Sequence, residues 1–498
     1  MGSLGKRMAC HRQLAASLRA MANSWFRRAE LSHKGDTNML PSPHRLAPGL
    51  KPSVSFVLVC GMLVILWIAG GASRSDAVGQ VVVRAGAWVS LILLSLMGER
   101  PLLGKARPVL ILLLATIALP LLQLIPLPPG IWQTLPGRER FVDVAPLVGP
   151  LLPWRPLAIV PGTAVNALSS LVVPLAMLLL TAGLNDKERS RLPGLMLILV
   201  IASMLLGLVQ FSGVEFNNPL INETVGRVSG NFANPNHFAL FMAIGCLLAP
   251  AWALGNARRI NWRIPVAFGL VLLLTLTILA SGSRAGMLLG SVGLCLGLYL
   301  QQSAIRRLTR GYPRWVFPLL IATVLGLIVT FAFISFSVDR AQSLNRLLEV
   351  ESGQDMRVRG FPVVVGMIKE YFPFGAGMGG FDPLFRLHEP FSLLKILYFN
   401  HAHNDFIEVV LDAGFAGLAL LLAACGWWAL RGIRVWITER DLLDAAEGRL
   451  GWAILLLILA ASVVDYPART PLMMATIVFS AMLLSGPVLR RNKESPRS

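Results

Sequence analysis

The sequence predicts an all-α integral membrane protein with about twelve transmembrane helices and one large extramembrane loop containing short amphipathic helices. Three observations lead there. Of 498 residues, 55% are apolar and only 14% charged, whereas about a quarter are charged in soluble domains. The apolar residues fall into runs near the ~20 residues that a spanning helix needs. The cations crowd into alternate gaps between those runs.

The runs are 54–71, 81–97, 109–127, 164–184, 193–212, 237–255, 264–280, 285–300, 315–338, 410–430, 450–465 and 472–489. With residues 1–51 inside and strict alternation, the inner segments are 1–51, 98–108, 185–192, 256–263, 301–314, 431–449 and 490–498. These hold 30 of the 45 Lys and Arg. The outer segments are 72–80, 128–163, 213–236, 281–284, 339–409 and 466–471, with about half as many cations. Both termini are therefore expected in the cytoplasm. The net charge of +19 marks topology rather than a nucleic-acid partner, because the cations lie in short gaps and form no continuous groove.

The domain reading is a basic arm over 1–51, a membrane domain over 52–490 and a short tail over 491–498, both tail and arm cytoplasmic. The arm carries nine cations against two acids. It reads as an amphipathic surface helix from Arg12 to Glu30 or as a plain tail, and not as a signal peptide. Cys60, Cys246, Cys295 and Cys425 lie within apolar runs and Cys10 in the arm. Their spacing predicts neither a disulfide framework nor a metal site. The outer segment 128–163 is rich in proline, and its Trp132 and Trp154 suit a membrane interface. The outer segment 339–409 is too long for a mere connector.

The unusual polar residues sort to the outer side. Arg227 to His237 reads RVSGNFANPNH and includes Asn234 and Asn236. Ser281-Gly-Ser-Arg284 fills a gap of about four residues between two spans. The long loop carries Arg340, Arg346, Arg357 and Arg359, then Pro373 to Phe381 (PFGAGMGGF), and ends in Asn400-His-Ala-His-Asn-Asp405. Asp465-Tyr-Pro-Ala-Arg469 joins the last two spans. Four of the seven histidines, His237, His388, His401 and His403, lie on this side.

Arg284 is held at the membrane boundary, where a cation either serves a polar site or snorkels to headgroups. His403 opens a helical pattern in which Asp405, Glu408 and Asp412 share one face, followed by Gly414 and Gly417 at a break or close helix contact. At a helix N-terminus and near arginines, an imidazole is kept neutral, as a general base requires; a loop-bonding histidine is the plainer role. The Gly375 to Gly380 run lacks the GK[ST] of a phosphate loop and reads as a tight turn after an amphipathic helix at about 360–371. Asp465 and Arg469 form an ion pair or meet a substrate.

Taken as a set, these residues resemble the O-antigen ligase and O-antigen polymerase superfamily (Wzy_C, the O-antigen ligase-related domain). The matching elements are Gly230 to His237, Ser281 to Arg284, Arg357 followed by the amphipathic helix and Pro373 to Gly377, His403-Asn404 with Gly414 and Gly417 behind it, and Asp465 to Arg469. The likeness covers about 160–490. Two features depart from it: Phe361 stands where such sequences often carry Trp, and the proline-rich 128–163 has no counterpart.

The resemblance implies a GT-C-like, inverting glycosyltransferase of the bacterial inner membrane, working at the periplasmic face without metal or other cofactor. Its donor would be an undecaprenyl-diphosphate-linked glycan and its acceptor lipid A-core or another lipid-linked glycan, within a lipid bilayer. Arg284 and Arg357 would clamp the diphosphate and His403 would take the acceptor proton. Arg227, Asn234, Asn236, His237, Arg359, His401, Asn404 and Arg469 would bind substrate. The acceptor, the sugar and the oligomeric state are not set by these residues, so ligase, polymerase and protein-glycosylating variants stay open. A transporter or flippase of lipid-linked sugars and a non-catalytic scaffold are the competing readings.

An arginine that grips diphosphate with its planar fork is not replaced by an ammonium. Arg284→Lys is expected to lower glycan transfer by at least about tenfold at normal membrane insertion, measured in vesicles; wild-type transfer would refute the fork.

Overall fold

The computed structural model describes residues 52–486 apart from 99, 105, 149–151, 215–217, 222–225, 256–258, 260, most of 311–352, 395–398 and 439–441. The arm 1–51, nearly all of the predicted span 315–338, Arg340, Arg346 and the tail 491–498 lie outside the described residues.

The described residues are about three-quarters helix with almost no sheet. In order, the helices are α1 (Val54–Ala69), α2 (Val78–Met97), α3 (Arg107–Gln123), α4 (Pro129–Trp132), α5 (Glu139–Val148), α6 (Pro161–Ser170), α7 (Val172–Ala182), α8 (Asp186–Arg189), α9 (Leu192–Phe211), α10 (Pro235–Leu254), α11 (Arg263–Ala280), α12 (Arg284–Leu300), α13 (Gln302–Thr309), α14 (Gly353–Tyr371), α15 (Phe381–His388), α16 (Asp405–Ile437), α17 (Leu442–Ser462) and α18 (Pro471–Ser485). Among the described residues, seven helical stretches are long and apolar enough to cross a membrane, or eight if α12 and α13, bent by 58°, count as one. The chain is thus a multi-pass membrane protein. Three further apolar helices, α1, α3 and α18, are shorter and fall on the predicted segments 54–71, 109–127 and 472–489.

Helix α10 forms the centre, with nearly every side chain from His237 to Leu254 buried. Such all-round apolarity is the pattern of a helix enclosed by other helices. It packs against α9, α11, α12 and α17. Close approach is possible because Gly293 and Gly297 of α12 lie against the backbone carbonyls of Ala243 and Cys246, the small-residue contact typical of membrane helices.

The predicted proline-rich outer segment is a small folded unit. Pro126–Leu127 and Arg155–Pro156 pair as two short antiparallel strands around α4 and α5, a minor exception to an all-α chain. Trp154 is exposed, but Trp132 is buried and its indole N–H donates to the Pro153 carbonyl at 3.0 Å. Trp132 therefore belongs to the core of this unit and not to a membrane-interface belt; a donor this well satisfied needs no headgroup.

The Gly375 to Gly380 run is a tight turn between α14 and α15, as its composition predicts, with Gly375, Gly377 and Gly379 at positive φ. It packs on α16, where Ala376 and Gly377 donate to the carbonyls of Leu411 and Asp412, both at 2.9 Å. Helix α16 breaks there: Gly414 has φ 56° and ψ −135°, and a side chain on it would collide with the Pro373 carbonyl. The expected break at Gly414 is thus where the turn docks, and the docking carries α14, with Arg357, to the head of α16.

Candidate active site

Three helices start at one place, each capped by a side chain that the sequence supplies at its first turn. The Asn234 side chain accepts from the Asn236 amide at 2.9 Å ahead of α10. The Ser283 hydroxyl accepts from the Gly286 amide at 2.9 Å ahead of α12. The Asn404 side chain accepts from the Ile407 amide at 3.0 Å ahead of α16. Cross-links join the three starts. Ser283 donates its hydroxyl proton to Asn236 Oδ1 at 2.7 Å, and Asn404 Nδ2 donates to the Val463 carbonyl at 2.8 Å.

The turn 463–470 between α17 and α18 supplies the centre. Asp465 is 2% exposed. Its Oδ2 accepts from Asn234 Nδ2 at 3.0 Å and Asn236 Nδ2 at 2.7 Å, and His237 Nε2 lies 3.9 Å away. Its Oδ1 meets His403 Nδ1 at 3.1 Å. Burial alone would raise this carboxyl, but the His403 hydrogen bond and the charges of His237, His403 and Arg357 outweigh it and hold Asp465 well below the usual carboxylate range. Of the two roles that the sequence leaves open for Asp465 and Arg469, the ion pair between them is not formed: Asp465 meets His403 and two asparagines, because the short turn between the two residues aims their side chains at different neighbours.

His403 is held in a strained backbone, at φ 50°, where non-glycine residues are uncommon although histidine is among those enriched. The Ala402 amide bonded to Glu408 Oε2 at 2.8 Å and the Asn404 cap fix this turn from both sides. Burial pushes the His403 imidazole below its ordinary value; Arg357 and His401 push the same way and Asp465 opposes them. The lowering comes first from burial, a cause the sequence did not offer. Phe399 and Tyr466 pack on the ring, with centroids 5.2 and 4.9 Å away. Tyr466 also touches His401 at 4.2 Å and His237 at 5.2 Å, joining three imidazoles around one phenol ring.

Arg357 reaches this centre, with NH1 3.4 Å from the Val464 carbonyl and its charge acting on Asp465 and His403. Arg284 is the first residue of α12, next to Ser283, and so adjoins the centre through the chain Ser283, Asn236, Asp465, His403. His401 holds Glu408 Oε1 at 2.8 Å through Nδ1. Arg469 lies in a neighbouring cluster, 3.5 Å from Asp405, 3.2 Å from Glu408 and 3.5 Å from Asp412. Burial would lower its basicity, but the three carboxylates overcome this and raise it. Arg359 and Arg227 are not brought in: Arg359 points to the Ser392 carbonyl at 3.0 Å, and Arg227 is exposed and unconnected to the network. Among the described residues no group of three His, Cys, Asp or Glu is placed to hold a metal ion.

What these features define is a multi-pass helical membrane protein with a polar site gathered at the starts of its helices. Residues 268–422 match the family model Wzy_C, described as O-Antigen ligase. That stretch contains Arg284, Arg357 and His403; Asn234, Asn236, His237, Asp465 and Arg469 lie outside it. No curated protein matches the chain.

The Arg469 cluster gives a stability prediction. Removing one partner of a buried ion network leaves uncompensated charge and costs about 3–5 kcal/mol. Arg469→Met is expected to lose that much, read as a lower melting temperature in detergent, and Glu408→Gln added to it should recover part of the loss. An unchanged melting temperature would remove the cluster from the fold's supports.

Proposed function

We propose that the protein is a metal-independent membrane glycosyltransferase that moves a glycan from undecaprenyl diphosphate to an acceptor hydroxyl at the periplasmic face of the inner membrane. It acts as an O-antigen ligase on lipid A-core or as an O-antigen or exopolysaccharide polymerase on a second lipid-linked glycan. In this reading the membrane domain has twelve spans and both termini are cytoplasmic. The observation that carries it is the His403–Asp465 pair with Arg357 beside it at a meeting of three helix N-termini.

The chemistry follows from the charges. Helix N-termini carry partial positive charge and present N–H groups to anions. With Arg357 and Arg284 they suit a diphosphate and the charge that grows on it as it leaves. Asp465 accepting from Nδ1–H of His403 leaves Nε2 with a free lone pair. A low imidazole pKa keeps that lone pair available at neutral pH. The acceptor oxygen bonds to the anomeric carbon as its proton passes to Nε2. The bond from that carbon to the diphosphate oxygen breaks, and undecaprenyl diphosphate departs with its electron pair. Attack opposite the leaving group inverts the anomeric centre. Asn234 and Asn236 act by holding Asp465, His401 and Asn404 by holding the turn, and Arg469 by bracing α16. Arg227 and Arg359 contact only the more distant part of a glycan.

The test is transfer by purified protein in liposomes, with a lipid-linked glycan donor and lipid A-core and donor glycan as rival acceptors. Transfer to one acceptor and not the other names the subclass; no transfer to either overturns the reading. His403→Ala should lower transfer by at least about a hundredfold with normal insertion, and unchanged transfer would remove His403 from the reaction.

Asp465→Asn tests the orienting role through pH. The active base is neutral His403, so rate rises as pH passes upward through the imidazole pKa. Asp465 raises that pKa, so its loss should move the acid limb to lower pH while cutting the rate by about a hundredfold or more. An acid limb that moves to higher pH, or an unchanged rate, would contradict the pairing.

A further inference from the structure

A second charged position lies inside the membrane domain, away from the site above and outside the matched ligase stretch. Arg84 is the seventh residue of α2, about 9 Å along the helix from its start at 1.5 Å per residue. Its NH1 donates to Ser169 Oγ of α6 at 2.8 Å and its NH2 to Gln80 Oε1 at 3.3 Å. Its Nε is buried and has no acceptor among the described residues. We propose that Arg84, with Gln80 and Ser169, binds the phosphate of a membrane lipid in the seam between α2 and α6.

A charge at this depth is costly unless paired or lining a polar site. Among the described residues Arg84 meets only neutral oxygens. Gln80 is committed elsewhere, its Nε2 donating to the Ala72 carbonyl at 2.6 Å. Ser169 gives its own proton to the Asn166 carbonyl at 2.8 Å, so it can only accept from Arg84. Both neighbours orient the guanidinium and neither neutralises it. Of five guanidinium N–H groups, two are used and that on Nε is buried, which leaves one N–H on each terminal nitrogen for an incoming oxyanion.

The surroundings say what kind of anion. Val81 and Trp88, which share the Arg84 side of α2 at helical spacing, and Val165, one turn before Ser169 on α6, are exposed, and α2 as a whole is among the least enclosed of the spanning helices. An apolar rim of this kind suits a ligand whose phosphate is joined to a hydrocarbon chain, rather than a soluble ion. The chain would lie along the valines and the phosphate on Arg84. The phosphate of a phospholipid and that of a polyprenyl phosphate share this chemistry. The site does not depend on the transfer reaction proposed above.

The experiment is native mass spectrometry of delipidated protein titrated separately with phosphatidylglycerol, polyprenyl monophosphate and diacylglycerol. Each titration is repeated with Arg357→Ala, to remove binding near His403. At least one phosphate lipid should bind about tenfold or more tighter than diacylglycerol, and Arg84→Gln should weaken that lipid by about tenfold. Arg84→Lys, which keeps the charge and is the more certain to fold, should weaken it less. Whichever lipid responds identifies the source of the phosphate. Wild-type binding of both phosphate lipids by Arg84→Gln and Arg84→Lys, or equal binding of diacylglycerol, would overturn the proposal. Failure of glycan transfer would leave these readouts unchanged.

Discussion

The site depends on one buried carboxylate. Asp465 is almost wholly removed from water, and a charge so placed persists only where donors replace the water it has lost. Its donors come from separate parts of the chain: Asn234 and Asn236 at the start of α10, and His403 just ahead of α16. Satisfying Asp465 therefore forces these segments together, and the imidazole is aimed by the same bond that stabilises the anion. Ser283 extends the constraint to α12 through Asn236, which is why Arg284 adjoins the centre without needing a direct bond to it.

A second buried network fixes what the first leaves loose. Arg469 holds three carboxylates on one face of α16, and Asp412 also accepts from the Gly379 amide at 3.2 Å. The glycine turn between α14 and α15 is thereby tied to α16, with the Phe415 amide donating to the Pro373 carbonyl at 2.8 Å. Arg357 is carried on α14, so its reach to Val464 rests on this docking. The two networks are neighbours, since Arg469 and Asp465 share one turn and Glu408 touches both Arg469 and His401. A change in either is transmitted to the placement of the cation beside His403.

Much of this was legible in the sequence because it is local. Apolar runs located the helices, and the asparagine, serine and histidine motifs at their starts are the ones that the fold gathers into the candidate site. The shared face of Asp405, Glu408 and Asp412 was read from helical spacing, and the break at Gly414 from its composition. What could not be read was long-range pairing. Asp465 and Arg469 look like a natural pair at four residues apart, yet the 3-10 turn at Pro467–Arg469 sends one to His403, 62 residues away, and the other to α16. Trp132 failed for a related reason: a tryptophan beside prolines fits an interface as well as a small core, and only the Pro153 carbonyl decides. Arg227 and Arg359 were gathered in because both fall in predicted outer segments, which does not bring them to one point.

The arrangement also bears on what kind of work the protein does. A carrier that moves sugars across the bilayer needs polar groups near the midplane, usually on broken helices. Helix α10 has its polar residues, Asn236 and His237, in the first turn, and every side chain from Phe238 to Leu254 is apolar. That helix is the most enclosed of the spanning set, and beyond its first turn it brings no polar side chain into the bundle. Chemistry confined to one end of the helices has a different requirement: an anion site, a neutral base and a lipid that stays within reach. The helix starts with Arg357 meet the first of these and the burial of His403 the second. The transfer proposed above, in which the hydrophobic tail remains in the bilayer and only the head is exchanged, needs no group to cross the membrane.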